Sequence, residues 1–167
     1  MSSLHKNRGM FLETIINQTK EYYLKNNICL IHKKNLDVTF RSVDLNDKKL
    51  KLNEARIKTK SSVDYYGVYQ GKFLAFEAKS TEEDFLPINN IKNHQIEYLN
   101  IVEKYKGISF WIIFFKNPGN FIFIKHKDFV QILKNKKAIH YKDALTIGKK
   151  LILSFPGILN IVENIIF

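Results

Sequence analysis

The chain has 167 residues, 45% hydrophobic and 26% charged, which suits one folded domain with a sizeable core and excludes an intrinsically disordered protein. Lys and Arg outnumber Asp and Glu by 27 to 16, and the net charge of +11 favours a polyanionic partner, nucleic acid before an anionic membrane surface. A lone Cys29 excludes a disulfide framework and a zinc pattern. The start of the chain lacks a signal-peptide stretch and the apolar run 108–115 is too short to span a bilayer, so a cytoplasmic protein is expected.

Residues 7–26 carry Phe11, Ile15, Ile16, Thr19, Tyr22 and Tyr23 at helical spacing and end at Asn26-Asn27, which predicts a helix. Residues 28–33 read as a short buried strand. Residues 35–60 hold few large apolar side chains and no Pro or Gly, with six basic residues against one acidic from Lys48 to Lys60. They predict a mobile arm or a protruding hairpin. Two strand-like segments, 61–69 and 72–79, flank Gln70-Gly71 as a tight hairpin in which facing residues have numbers summing to 141. An acidic loop at 81–87 leads to a second helix near 89–106, with Ile91, Gln95, Tyr98, Val102 and Tyr105 on one face and Gly107 as its cap. Residues 108–115 predict a central strand, 117–120 a turn and 121–125 an antiparallel partner. Short helices at 128–134 and 141–150 precede an apolar tail, 151–167, broken by Pro156-Gly157. This order predicts a single α/β domain, a mixed central sheet flanked by helices.

The hairpin register sets Asp64 opposite Glu77 and Ser62 opposite Lys79, all four on one face, with Val63 turned away. Carboxylates directly opposed across a ladder, about 4.5–5.5 Å apart at Cβ, repel each other, and a divalent cation removes that repulsion. The bland account is an amphipathic strand whose charged end faces solvent. The functional account is metal-assisted phosphodiester hydrolysis, in which Asp64 and Glu77 hold Mg²⁺, with Mn²⁺ as a substitute, and Lys79 either lowers the pKa of the metal-bound water or stabilises transition-state charge. Gln95 points from the second helix toward the sheet, either as a metal-shell amide or as a core-edge amide bonded to backbone. Glu13 reads as a solvated helix position or a further carboxylate near the site, and His94 as a surface or DNA-contacting residue.

Four stretches carry a resemblance to the RecU-type Holliday junction resolvases, within the restriction-endonuclease-like nucleases. They are Asn-Arg-Gly-Met-Phe-Leu-Glu at 7–13, Ile-His-Lys-Lys at 31–34, the run from Asp64 to Lys79, and His-Gln-Ile-Glu at 94–97. The resemblance implies a restriction-endonuclease-like core and a homodimeric, Mg²⁺-dependent endonuclease that makes paired nicks in four-way DNA junctions during recombination and repair. It assigns metal binding to Ser62, Asp64, Glu77 and Gln95, and transition-state stabilisation to Lys79. It also implies a stalk between the first two strands, at about 35–60. Ser62 replaces a usual Thr and keeps the hydroxyl, and Val63 stands where a Thr is usual.

Arg8, Lys33, Lys34, Lys48, Lys49, Lys51, Arg56, Lys58 and Lys60 are candidate phosphate contacts, which position DNA without reading its sequence. The leading expectation is thus a junction-selective endonuclease. The alternatives are a catalytically silent junction binder on the same scaffold and a duplex-cutting nuclease of the same fold.

Overall fold

The architecture was obtained as a computed structural model that describes residues 9–35, 37–39, 41–44, 51–53, 55–59, 62–134 and 136–165. Helix α1 (Met10–Lys25) buries Leu12, Ile15, Ile16, Thr19 and Tyr23. Its apolar stripe is rotated from the expected one, because Phe11 and Tyr22 are exposed. Strand β1 (Leu30–Lys33) buries Ile31 alone, so the expectation of a buried strand fails: it is the sheet's edge and one face is open. Between it and the next strand of the main sheet, β2 (Asp37–Thr39) pairs antiparallel with β5 (Arg56–Thr59), and β3 (Ser42–Asp44) with β4 (Lys51–Asn53). The nested pairing makes the described part of 35–60 a hairpin ribbon.

Strands β6 (Tyr65–Tyr69) and β7 (Lys72–Thr81) pair from Tyr65↔Phe76 to Tyr69↔Lys72, the register whose numbers sum to 141. Gln70 (φ 48°) and Gly71 (φ 77°) supply the two left-handed residues that a tight hairpin turn demands. The expected acidic loop hides a short strand, β8 (Phe85–Pro87). Helix α2 (Asn93–Lys104) is shorter than its pattern suggested and buries Gln95, Leu99 and Val102, whereas Tyr105 is 79% exposed. The left-handed residue after α2 is Lys106 (φ 63°) rather than Gly107. Gly107 is required for close approach instead, since a Cβ there would lie 2.6 Å from Val102 Cγ1 and 3.0 Å from the Phe73 carbonyl oxygen.

Strand β9 (Ile108–Phe115) is buried along nearly its whole length because it runs through the sheet's middle, parallel to β7 and antiparallel to β10 (Asn120–Lys125). Helix α3 (His126–Leu133) follows, then β11 (Ala138–His140), which pairs with β8, and α4 (Tyr141–Ile147). The end of the expected second short helix is instead strand β12 (Lys149–Leu151), which closes the six-stranded order β1-β6-β7-β9-β10-β12. The tail folds as a hairpin of β13 (Leu153–Ser154) and β14 (Ile158–Leu159).

Two cores result. Leu74, Phe76, Phe110 and Ile112 meet α1 and the tail's Leu159 and Ile161 on one face, and Ala75, Trp111 and Ile113 meet Leu99 of α2 and Phe129 of α3 on the other. The tail is fastened to α1 by the Tyr23 hydroxyl, which donates to the Leu159 carbonyl at 2.6 Å and accepts from the Ile161 N–H at 2.8 Å. Burial pushes the Cys29 thiol up to about 11, as expected of an inert core cysteine. Among the described residues, no helix is long and apolar enough to cross a membrane.

Candidate active site

The ladder between β6 and β7 stops one residue short of the acidic pair. Its last pair is Tyr65↔Phe76, whereas β7 continues to Thr81 beside β9. At that split the Asp64 carboxylate accepts the Ala78 N–H at 3.1 Å, a donor that a continuing strand would have taken with its own carbonyl. The Asp64 N–H donates in turn to Glu77 Oε2 at 3.1 Å, and the Asp64 carbonyl accepts from the Lys34 N–H at 2.7 Å. Sequence arithmetic therefore brings Asp64 to Glu77, but the single-face geometry fails. Val63 is buried in the core beneath α2 with Ala75, and Asp64 lines a cleft with Gly9, Leu12, Glu13, Ala78 and Ser80 toward α1. Side-chain alternation holds only where the ladder holds. Ser62 is half-buried and lies before the ladder begins, so its hydroxyl is not placed by strand alternation.

Glu77 has no exposed surface, which overturns the account of a solvated strand end. Burial first, and the neighbouring Asp64 carboxylate second, push its carboxyl up to about 8, while Lys79 pulls the other way. Lys79 Nζ donates to Glu77 Oε1 at 2.8 Å, and Gln95 Nε2 donates to the same oxygen. Gln95 thus reaches the site from the first turn of α2, as its position on the helix predicted. Its amide oxygen accepts the Lys92 N–H at 3.0 Å, where it caps that first turn. The amide oxygen is bonded to backbone as the core-edge alternative expects, while the amide nitrogen, not the oxygen, meets the buried acid.

The cleft beside Asp64 has a volume of about 210 Å³ and is also lined by Lys33 and Tyr65. Glu13 accepts from Lys33 Nζ at 2.5 Å there. Burial raises the Tyr65 phenol, and the negative charges of Glu13, Asp64 and Glu77 add to that shift. Trp111, directly beside Glu77 on β9, walls the acid from water. Sequence reasoning missed both aromatic neighbours, since the β7–β9 register has no local signal.

The sequence pattern of one protein family, Recombination protein U, matches residues 7–166. The chain belongs to that family. It is 40% identical over 159 residues to the Holliday junction resolvase RecU of Mycoplasmopsis pulmonis (strain UAB CTIP), covering 94% of this chain and 92% of that one. It is 36% identical over 175 residues to the enzyme of the same name from Bacillus pumilus (strain SAFR-032), covering 99% and 84%. The Archaeoglobus fulgidus Hjc structure, a Holliday junction resolvase, is a partial fold likeness, with a TM-score of 0.39 and 15% identity over 53% of this chain and 69% of that one.

In this RecU-family chain, five of the nine candidate phosphate contacts fall within the described residues. Lys33 ends β1 and lines the cleft, Lys34 follows it, and Arg56 is exposed on β5 of the ribbon. Lys51 and Lys58 lie on ribbon strands β4 and β5. Arg8, Lys48, Lys49 and Lys60 fall outside the described residues. Among the described residues no three His, Cys, Asp or Glu side chains cluster around a common point. The donor set is a carboxylate pair with an amide alongside. Hard oxygen donors of that number fit a cation that keeps several of its own waters, and a cation there would offset the repulsion that Asp64 adds to the burial of Glu77.

Proposed function

We propose that this chain is a structure-selective DNA endonuclease that resolves four-way junctions by paired symmetric nicks, in recombination and repair, as a cytoplasmic homodimer. The observation that carries this reading is the convergence of Asp64, Glu77 and Lys79 where the hairpin ladder splits, in a chain of the RecU family. When bound, Mg²⁺ or Mn²⁺ supplies Lewis acidity and the charge that lets both carboxylates ionise together. Asp64 and Glu77 would hold it, with the Ser62 hydroxyl and the Gln95 amide oxygen as further ligands. For Gln95 this requires the amide to turn its oxygen from the Lys92 N–H toward Glu77. Lys79 then exchanges Glu77 for the scissile phosphate and stabilises the charge that grows on it, a role a compact ammonium suits. Glu13 orients Lys33 at the cleft's rim. Arg8, Lys33, Lys34 and the ribbon's Lys48, Lys49, Lys51, Arg56, Lys58 and Lys60 contact phosphates, so selectivity comes from junction shape rather than base edges.

The homodimer reading is supported by an uncovered half-sheet. Leu30, Val68 and Phe73 face one another across β1, β6 and β7, with His32 and Tyr66 beside them, and all are exposed. Helix α2 stands next to this half-sheet. Asn100 and Glu103 face α3 and β9, so Ile101 and Tyr105 project from the opposite flank, over the open strands. The patch exposes roughly 500–600 Å² of apolar side chain, at the upper limit for a monomer and most of the apolar part of one side of a standard interface. A raised helix beside an open sheet is self-complementary under a twofold axis, each α2 seating on the other copy's strands. No lysine or arginine is among these residues, so the patch suits a second copy and not a polyanion.

The test is a labelled mobile four-way junction incubated with Mg²⁺, Mn²⁺ or EDTA beside a linear duplex of matched sequence. Symmetric paired nicks on the junction, abolished by EDTA, are expected. Asp64→Asn and Lys79→Ala should each lower nicking by about 10²–10³-fold while junction binding stays within a few-fold. Binding without nicking in either metal would establish the silent binder instead, and equal cutting of the duplex would establish a duplex nuclease.

A further inference from the structure

We infer that Asn100 and His126 are positioning residues for the nuclease site: through Trp111 and helix α2 they hold Gln95 against Glu77. The parallel register of β7 and β9 sets Trp111 beside Glu77 on the face that α2 covers, and both side chains are fully buried. The Trp111 indole N–H donates to His126 Nδ1 at 2.9 Å. An accepting Nδ1 leaves the proton of the neutral imidazole on Nε2, which therefore donates to Asn100 Oδ1, also at 2.9 Å. The Trp111 ring stacks on Phe129 of α3, with centroids 4.1 Å apart, so the indole cannot follow α2 if that helix shifts. On the same flank of α2, Glu103 accepts from the Ser109 hydroxyl of β9 at 2.8 Å.

Helix α2 is consequently fixed at both ends. Its first turn is tied by Gln95 to Glu77, and its second half by Asn100 to α3 and by Glu103 to β9. A helix of twelve residues pinned at these points cannot roll without breaking a buried hydrogen bond. Loss of the distal pins frees the roll that carries Gln95 off the acid.

The network also distinguishes a neutral from a charged imidazole, because a proton on Nδ1 would set donor against donor at Trp111. Burial lowers the proton affinity of His126, and Glu103 of α2 opposes that shift. β9 presents Trp111 and the Ser109 hydroxyl, α2 adds the uncharged Asn100, and on α3 itself the neighbouring charges are Lys127 and Asp128.

The inference rests on the nuclease reading for its activity arm, and a spectroscopic arm stands without it. His126→Phe retains a ring of similar size and removes both hydrogen bonds; Asn100→Asp retains the acceptor and adds a charge that favours the imidazolium. In amide NMR spectra of the full chain, the Gln95 side-chain NH₂ (identified by its absence in Gln95→Ala) should be protected from solvent exchange in the wild type and lose at least about tenfold protection in His126→Phe. Trp111 is the one tryptophan of the 167 residues, so its emission follows the network directly. Its acid transition should move up by about one pH unit or more in Asn100→Asp, and the acid limb of junction nicking should move with it. His126→Phe should nick about tenfold more slowly at saturating junction while binding it normally. Unchanged Gln95 protection in a folded His126→Phe protein overturns the inference whether or not the chain cuts. So does an acid transition that stays in place in Asn100→Asp. A wild type that never nicks refutes the nuclease reading separately.

Discussion

Glu77 is where burial and charge conflict most sharply. Its carboxyl is enclosed by Trp111, Gln95 and Lys79, and is raised to about 8 from an ordinary 4.5. Between those values the folded chain binds a proton that the unfolded chain does not, so the stability linked to Glu77 falls as pH rises through 4.5 to 8. His126 has the opposite sense: its lowered proton affinity makes stability fall as pH drops below the ordinary 6.5. Metal-free thermal melts should therefore show a decline from neutral to pH 9 that Glu77→Gln flattens, with the variant melting above the wild type at the alkaline end. Mg²⁺ should raise the wild-type melting temperature there and leave that of Glu77→Gln unmoved. A Glu77→Gln protein that melts lower than the wild type at every pH would show that the buried acid is not under strain. The residues Asp64, Glu77 and Lys79 were legible in the sequence because two residues of turn chemistry set their register. The enclosure of Glu77 was not, since Trp111 and Gln95 arrive from strands and helices whose packing has no local signal.

At the scale of elements, long periodic segments were readable and short ones were not. β9 and β10 declared themselves by unbroken apolar runs around a strong turn, and α1 by its spacing. β8, β11 and β12 have three residues each, too few for any period to show, and β12 was read as the end of a helix. The face of α2 was misjudged at Tyr105 because an exposed aromatic at helical spacing looks the same as a buried one. Gly67 shows how one residue governs an element: a Cβ there would lie 1.9 Å from the Leu30 carbonyl oxygen. Gly67→Ala should push β1 off β6, costing roughly 1–3 kcal/mol or more, read by denaturant unfolding; a change under half a kcal/mol would mean that β1 is loosely held. The ribbon offers a separate test. Arg56→Glu should weaken junction binding several-fold and lower the slope of log affinity against log salt by about one, with the nicking rate at saturation unchanged. An unaltered salt slope would remove Arg56 from the phosphate contacts.

At the scale of the molecule, a net charge of +11 makes association of two copies electrostatically costly, so an interface must be apolar and free of basic side chains. The half-sheet of Leu30, Tyr66, Val68 and Phe73 beside Ile101 and Tyr105 meets that requirement. In the tail, Leu159, Ile161, Val162 and Ile165 are already spent on the core against α1, and among its described large apolar side chains only Ile152, Leu153 and Phe155 stay exposed. Phe73 and Glu77 lie on the same face of β7, about 13 Å apart at strand spacing, so a twofold axis through the patch would bring two acidic sites to one side of the proposed dimer. Paired nicks on opposing strands need that arrangement; a monomer can only nick one strand at a time. Val68→Lys combined with Phe73→Lys should convert a sedimenting dimer to a monomer and add two charges to each face that would have closed. Supercoiled cruciform DNA, in which a single nick releases the junction, should then accumulate nicked circles in place of linear products, while the first nick continues at a measurable rate because neither substitution touches Asp64, Glu77 or Lys79. If the double variant still sediments as a dimer and still yields linear products, the second copy is held elsewhere and this half-sheet must face another partner.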